Sequence, residues 1–262
     1  MGLASAARII QVLQTRLHRH LLDRWQDWLL GIDASGRLWP SELSLNGPNA
    51  EQSSEHIGTP TWVLRRALDR LNLDTRNFVF VDLGSGKGRV ILRAAARPFR
   101  RVEGVEFSEL LHRIALKNIA NAQAAGALRS PVIAHNQDVA EFDVPKDPLV
   151  IYSFNPFGKK IMKTFVKKLG ASLRAHSRDC YFIYLNPQHR DCFNEGCTFT
   201  SMPPSWCEAV LDRLISPWPL IIYRYQQKGG TDVPHPRGRE LSGWIGNSGF
   251  WAPLFTSLPA FT

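Results

Sequence analysis

The stretch that most constrains the fold of this chain is "FVFVDLGSGKGRVIL", residues 78 to 92. An apolar run with the character of a buried strand leads into a loop with glycines at positions 84, 86 and 88, and a helical pattern follows directly. A strand, a glycine-rich turn and a helix in this order are typical of α/β proteins that bind a phosphate, a dinucleotide or a sulfonium compound at the turn. The turn alone leaves these three classes of ligand open.

Short apolar runs and helical patterns alternate over the central region of the chain. The alternation predicts a mostly parallel sheet covered by helices on both faces. The connection between the last two apolar runs looks too short and too rich in proline for a standard crossover helix, which predicts that those two strands pair antiparallel. Strands are predicted at 78–83, 102–107, 131–135, 149–154, 180–185, 198–202 and 219–225, and helices at 88–97, 108–125 and 159–174.

The two ends of the chain differ from this central region. Near the start, apolar residues at helical spacing predict an amphipathic helix that packs on the body of the protein; whether this basic segment is also a targeting signal stays open. A linker rich in Gly, Pro and Ser follows, and the next helix is predicted to start with Thr59 as its N-cap and Pro60 in its first turn. The apolar positions of the first helix are Ile10, Leu13, Leu17, Leu21, Trp25 and Trp28.

The far end, residues 229–262, holds six glycines and four prolines and is predicted to be a tail without regular structure. We therefore predict three parts: an N-terminal helix and linker over 1–56, a main domain over 57–228, and the tail over 229–262.

Composition limits the class of protein. The 262 residues are 44% hydrophobic but contain no uninterrupted apolar stretch of about 18 residues, which predicts a protein without a membrane span. Four cysteines are too few and too clustered for a disulfide framework, and they lack paired zinc-site spacing, so we expect a cytoplasmic protein with no metal site. The net charge of +9 favours acidic partners, although a generally basic enzyme surface explains it equally well. No oligomeric state is predicted.

The glycine loop fits two of its three ligand classes poorly. A phosphate-binding loop requires Ser or Thr directly after its lysine to hold magnesium, whereas Lys87 is followed by Gly88 and Arg89. A dinucleotide loop requires its third glycine at position 89, where this chain has arginine. The first class is excluded and the second is weakened, and Lys87 is interpreted as incidental.

Carboxylates at three successive predicted strand ends favour the third class. Asp82 precedes the glycine loop and can accept hydrogen bonds from a cationic amino group. Glu106 ends the second strand, where it can accept from two ribose hydroxyls. Asp138 follows the third strand and can accept from an adenine amino group, although a solvated loop carboxylate would also explain it. S-adenosylmethionine carries all three groups.

At these residues the chain resembles the class I, Rossmann-like methyltransferases that use S-adenosylmethionine. "VDLGSGKGR" is similar to their first motif, "GVEFS" to their acidic second motif and "NQDV" to their third, and the resemblance covers about residues 57 to 226. It implies a three-layer, seven-stranded, mostly parallel sheet with its last strand antiparallel, here with an N-terminal helical extension, and S-adenosylmethionine as cofactor. The expected cofactor-binding residues are Thr59, Asp82, Gly84, Ser85, Gly86, Gly88, Glu106, Phe107, Asp138, Val139 and Asn155.

The predicted fourth strand ends in Asn155-Pro156-Phe157, which is similar to the [ND]-P-P-[YF] motif of amino-group methyltransferases with one proline missing. The resemblance implies that Asn155 orients an acceptor amine, that the Pro156 carbonyl assists it, and that Phe157 lines the pocket. A plain turn after a strand explains the same residues equally well. No general base is assigned, since His135 and Glu141 are only nearby candidates.

The acceptor is open at this point. Lys160, Lys163 and Lys167 fall on one face of a predicted helix and could track phosphates, although a lysine stripe is more often a solvated helix face. We expect an amine of a protein or nucleic acid as acceptor. A small-molecule methyltransferase, or a protein that binds the cofactor without catalysis, is the alternative.

Overall fold

The computed structural model describes residues 25, 27, 28, 31–34, 37–38, 56–57, 59–194, 199–216 and 218–226. Most of the predicted N-terminal helix and the whole predicted tail lie outside these residues. The chain divides into two units, Met1–Lys228 and Gly229–Thr262. The predicted boundary at residue 56 stays a prediction.

A seven-stranded sheet forms the centre of the first unit. Its strands are β3 Val79–Leu83, β4 Arg101–Glu106, β5 Val132–Asn136, β6 Leu149–Ser153, β7 Cys180–Leu185, β8 Phe199–Ser201 and β9 Leu220–Tyr225. They are arranged in the order β5-β4-β3-β6-β7-β9-β8. All neighbouring strands from β5 to β7 are parallel, and β9 runs antiparallel to both β7 and β8. Before them, β1 Arg37–Leu38 and β2 His56–Ile57 form a separate antiparallel pair.

Helices cover both faces of this sheet. Alternate residues of its central strands pack into two separate hydrophobic clusters, one on each face. Val81 belongs to a cluster with the helical residue Phe165, whereas its neighbour Phe80 belongs to a cluster with the helical residues Leu64 and Ile91. The predicted three-layer fold with an antiparallel last strand is confirmed. The helices are α1 Thr61–Leu71, α2 Arg89–Ala95, α3 Glu109–Ala124, α4 Lys159–Ala175 and α5 Trp206–Ile215. None of the helices in the described residues is long and apolar enough to cross a membrane.

The connection between the last two strands was predicted to be too short for a helix, and this prediction is wrong. It holds α5, a helix of ten residues. Ser205 and Glu208 form a reciprocal capping box at its start, so the signal was present in the sequence just after two prolines. The antiparallel pairing of β8 with β9 is nevertheless as predicted.

Two predictions for the N-terminal region are wrong. Pro60, not Thr59, is the N-cap of α1, and the Thr59 hydroxyl instead forms a hydrogen bond of 2.9 Å with the Tyr152 hydroxyl. Trp25 and Trp28 are 42% and 75% exposed, so they are not on a buried face. The buried residue between them is Asp27, at 3% exposure.

Candidate active site

The glycine loop joins β3 to α2 with three residues of left-handed backbone. The φ angles of Gly84, Gly86 and Gly88 are +77°, +54° and +88°, a region that side chains with a Cβ adopt at a cost. A Cβ atom on Gly84 would lie 2.3 Å from the Cβ of Pro156. The loop and the turn after β6 therefore touch at a place that only glycine permits, which brings two predicted site regions together.

Asp82 lies at the end of β3 with 2% exposure. Its carboxylate accepts no hydrogen bond from any residue that the structure describes, and burial, followed by the charge of Glu106, raises its pKa well above the ordinary value. A buried acid without a donor is costly in its ionised form. The position is therefore poised for a ligand that brings positive charge or hydrogen-bond donors.

Glu106, at the end of β4, organises the loop through both carboxylate oxygens. Oε2 accepts from the Gly86 backbone N–H and Oε1 from the Ser108 backbone N–H, each at 2.8 Å. Burial raises the pKa of Glu106, and these backbone hydrogen bonds oppose that rise. Because each carboxylate oxygen has two acceptor positions, both retain capacity for one more donor.

Two residues next to Asp82 were missed by the sequence reasoning. Gly104 is its register partner on β4, and a Cβ there would lie 2.9 Å from the Cβ of Ser85. Tyr152 is its register partner on β6 and bonds Thr59, while burial, opposed in part by that bond, raises the pKa of its hydroxyl. A glycine inside a strand often marks a close approach of another backbone or a ligand, which was the available signal for Gly104.

Ser85, predicted to bind the cofactor, is 6% exposed. Its hydroxyl has no hydrogen-bond partner among the residues that the structure describes. Because a buried hydroxyl without a partner is unfavourable, this group is available to a ligand at the loop.

The third predicted acid is more loosely placed. Asp138 lies two residues beyond the end of β5, is partly exposed, and accepts from the Ala140 N–H at 2.8 Å in a short turn. Asn136 connects this turn to the end of β4 by donating to the backbone carbonyls of Glu106 and Phe107. Val139 is 5% exposed and belongs to the hydrophobic core.

Asn155 occupies the turn after β6 in the left-handed region, with φ +43°. Its Oδ1 accepts a hydrogen bond of 3.3 Å from the hydroxyl of Tyr184, which is fully buried on β7. Phe157 is 6% exposed and belongs to the same core cluster as Phe165. The structure therefore places Pro156 against the loop with Asn155 directly before it in the chain, whereas the Phe157 ring packs in the core.

The nearby candidates for a general base lie elsewhere. His135 forms a hydrogen bond of 2.8 Å with Glu103. Successive residues of a strand point to opposite faces of the sheet, so Glu103 points away from the face of its neighbour Gly104 and of Asp82, the register partner of Gly104. Glu141 is exposed. Within the described part of the chain, no group of three His, Cys, Asp or Glu side chains could hold a metal ion.

Neither a protein-family model nor a curated protein sequence matches this chain. Solved structures do. An RNA methyltransferase from Salinibacter ruber in complex with S-adenosyl-L-homocysteine is 20% identical over 69% of this chain and 100% of its own, with a TM-score of 0.43. A T. thermophilus 16S rRNA N2 G1207 methyltransferase in complex with AdoMet and guanosine is 20% identical over 66% of this chain and 44% of its own, with a TM-score of 0.47. A putative RNA methyltransferase from Pyrococcus horikoshii is 19% identical over 72% of this chain and 92% of its own, with a TM-score of 0.43.

The strand order and directions of this chain, rather than these distant likenesses, establish its fold. In order of appearance, the seven main strands are arranged 3-2-1-4-5-7-6 with the seventh antiparallel. The fold is that of a class I methyltransferase. In this fold, Asp82, Glu106, Asn155 and the glycine loop all lie at the carboxyl edge of the parallel strands, where open α/β sheets bind their ligands.

Proposed function

We propose that this protein binds S-adenosylmethionine at the glycine loop and transfers its methyl group to an amine nitrogen of a macromolecule. The observation that carries the proposal is the buried Asp82 carboxylate beside Glu106, without a hydrogen-bond donor among the described residues. A ligand with a net positive charge and an ammonium group would offset the cost of burying these two acids.

The residues present fit such a cofactor. Asp82 would accept from its ammonium group, and the Ser85 hydroxyl has a free hydrogen-bonding capacity at the same loop. Glu106 would accept from the ribose hydroxyls with the lone pairs that its two backbone bonds leave available. Asp138 would reach the adenine amino group, and the left-handed glycines let the backbone approach the ligand closely.

On the acceptor side, Asn155 would orient the amine. When bound, S-adenosylmethionine would supply an electrophilic methyl group: a nitrogen–carbon bond would form as the carbon–sulfur bond breaks, the electron pair would stay on sulfur, and the nitrogen would release a proton to solvent. Tyr184 holds the Asn155 oxygen through its hydroxyl, so the side chain is oriented before the acceptor arrives. Since a neutral amine needs little acid–base help, alignment would supply most of the acceleration.

The charge of α4 supports a nucleic acid as the acceptor. Lys160 and Lys167 are exposed on this helix, which contains five lysines and one arginine and no acidic residue. The helix begins four residues after Asn155, so a phosphate backbone along it would lead to the proposed amine site. Asp191 and Asp143 pair with two other lysines of the helix, Lys159 and Lys168.

The proposed location is the cytoplasm. Among the described residues, Cys180 and Cys207 carry free thiols, which supports a reducing compartment.

The experiment has two arms. Calorimetric titration with S-adenosylmethionine measures cofactor binding, and transfer of labelled methyl from the cofactor into separated RNA, protein and small-molecule fractions of a cell extract identifies the acceptor. We expect binding, and label in RNA that declines steeply with salt. Label in the protein fraction would show that the acceptor is a protein and not a nucleic acid. Label in the small-molecule fraction would establish a small-molecule methyltransferase. Binding without label in any fraction would indicate a protein that binds the cofactor without catalysis. Absence of binding would overturn the proposal.

A further inference from the structure

A short segment near the start of the chain packs against the helices that flank the glycine loop. Ile32 and Ala34, at 7% and 1% exposure, form a small hydrophobic cluster with Leu92 of α2 and Ala122 of α3. The residues of this segment lie about 50 or more positions before the loop in sequence. Burial of its apolar side chains therefore fixes a distant part of the chain beside the candidate cofactor site.

Asn118 of α3 joins this segment to the loop. Its Oδ1 accepts from the Asp33 N–H at 2.8 Å, and its Nδ2 donates to the Asp33 carbonyl at 3.0 Å and to the Lys87 carbonyl at 2.8 Å. Both amide donors are thus used, and the residue is 1% exposed. A ligand cannot reach this side chain, so any influence on binding passes through the backbone of Lys87.

Lys87 makes the second connection. Its Nζ donates to the Asp33 carboxylate at 3.0 Å, and its side chain is 9% exposed. The residue lies between Gly86 and Gly88. Both glycines have positive φ, and neither has a Cβ that would restrict its backbone. Asn118 therefore holds the carbonyl of Lys87 and Asp33 holds its ammonium, which corrects the interpretation of this lysine as incidental.

A buried carboxylate makes the third connection, at the helix that follows the loop. Asp27, only 4% exposed in its side chain, pairs with Arg89 at 2.5 Å and with Arg93 at 3.6 Å, and both arginines lie on α2. The first turn of α2 has no acidic residue and Gly88 provides no side-chain cap. Asp27 therefore supplies the negative charge that offsets a cation at the start of this helix.

We propose that Asn118 and Lys87 are positioning residues: through them residues 31–34 hold the glycine loop in its binding geometry. The inference rests on the proposed function in that the loop is the cofactor site. Without the Asn118 bridge, the Lys87 carbonyl and the Asp33 backbone groups lose the hydrogen bonds that this side chain makes, and the two flanking glycines are less restrained.

The chain offers a matched control one turn further along α3. Asn121 also bonds the segment, by donating to the Gly31 carbonyl at 2.6 Å, but the hydrogen bond that joins α3 to the loop comes from Asn118. Asn118→Ala and Asn121→Ala both weaken the docking of the segment. Only the first removes a direct bond to the loop.

The test measures amide hydrogen exchange of the full chain without ligand, together with calorimetric titration with S-adenosylmethionine. In Asn118→Ala we expect exchange at Gly86 and Gly88 at least about tenfold faster than in the parent protein, with central β7 amides unchanged, and cofactor affinity about tenfold weaker. In Asn121→Ala both quantities should stay within about twofold. Equal loop exchange in the two variants would overturn the inference, as would unchanged exchange in both.

Because Asn118→Ala leaves buried groups without partners, milder variants give a second measurement. Asp33→Asn and Lys87→Met each remove one half of the ion pair, and the Asp33 side chain is 67% exposed, so the fold should persist. We expect each to weaken cofactor affinity about threefold and the double variant to be no worse than either, as coupled residues require. Strict additivity would contradict the inference. If the parent protein binds no cofactor, the proposed function fails, while loop exchange still decides the positioning role.

Discussion

The two halves of the candidate site lie at the same edge of one sheet but are built differently. On the β3–β4 side, Asp82 and Glu106 are almost completely buried, and the loop is held by backbone bonds and left-handed glycines. On the β6–β7 side, Asn155 is a neutral, half-buried residue in a left-handed turn that continues into Pro156. We propose that the charged half is preformed for the cofactor and that the neutral half receives an acceptor that must enter and leave.

The strongest test of the charged half is Asp82→Asn. We expect S-adenosylmethionine affinity to fall by about tenfold to one hundredfold, because a charge-assisted hydrogen bond is worth about 1.5–3 kcal/mol. The same variant should raise the stability of the unliganded protein at neutral pH, since it removes the cost of a buried ionised acid. Calorimetric titration and urea unfolding measure the two effects.

Asp138→Asn is the milder comparison, since Asp138 is partly exposed and an amide oxygen can keep both its turn bond to Ala140 and an acceptor for the adenine amino group. It should change affinity less than about threefold and leave stability unaltered. Unchanged affinity in a folded Asp82→Asn protein would contradict the assignment of the charged half.

The contact between the two halves can be tested at Gly84. An alanine there meets both a positive φ and Pro156 at 2.3 Å, so we expect the free energy of unfolding to fall by more than about 2 kcal/mol and cofactor affinity to drop about tenfold. Gly126→Ala is the matched control, because its φ is +65° with nothing within 4 Å of the added Cβ. It should lower the free energy of unfolding by only about 1–2 kcal/mol, the cost of a left-handed backbone at alanine, and leave cofactor affinity unchanged. Equal losses in both variants would show that the halves do not depend on this contact.

Asn155→Ala tests the neutral half. Loss of the oriented amide should lower the rate of methyl transfer to the accepting extract fraction about tenfold, while cofactor affinity stays within about twofold. Asn186→Ala replaces an equally left-handed residue, at φ +52°, and controls for the backbone cost. If the two variants lose the same activity, Asn155 is only a turn residue.

The smallest expected effect is the pH dependence of cofactor affinity, which should come from the charged half alone. Since burial and Glu106 raise the Asp82 pKa in the unliganded fold, its contribution to stability is complete below the unfolded pKa and is lost as pH rises through the folded pKa. A cationic ligand prefers the ionised acid, so affinity should increase with pH across the same window, by at most about tenfold per pH unit. Calorimetry from mildly acidic to neutral pH measures this, and Asp82→Asn should flatten the curve. An affinity that falls with rising pH would contradict the proposed cationic ligand.

The central sheet was predictable because its strands are local apolar runs separated by glycine, proline and helical patterns. Each strand of the seven-stranded sheet begins and ends within one residue of its predicted position. The helix α5 was missed although its Ser205–Glu208 capping box is local, because the prolines before it also favour a loop. The acids at the strand ends were predictable for the same reason as the strands, and a parallel sheet gathers them at one edge.

The amino-acid sequence alone determined the parallel sheet, the glycine loop and the acidic strand ends, since each follows from short-range periodicity and residue type. Tertiary structure alone decided that Asp27 is buried while Trp25 and Trp28 are exposed, that Lys87 bonds Asp33, and that Gly84 touches Pro156. These interactions join residues more than 50 positions apart. Local spacing carries no information on which distant partner satisfies a charge or fills a gap, because that depends on how the helices and turns pack around the finished sheet.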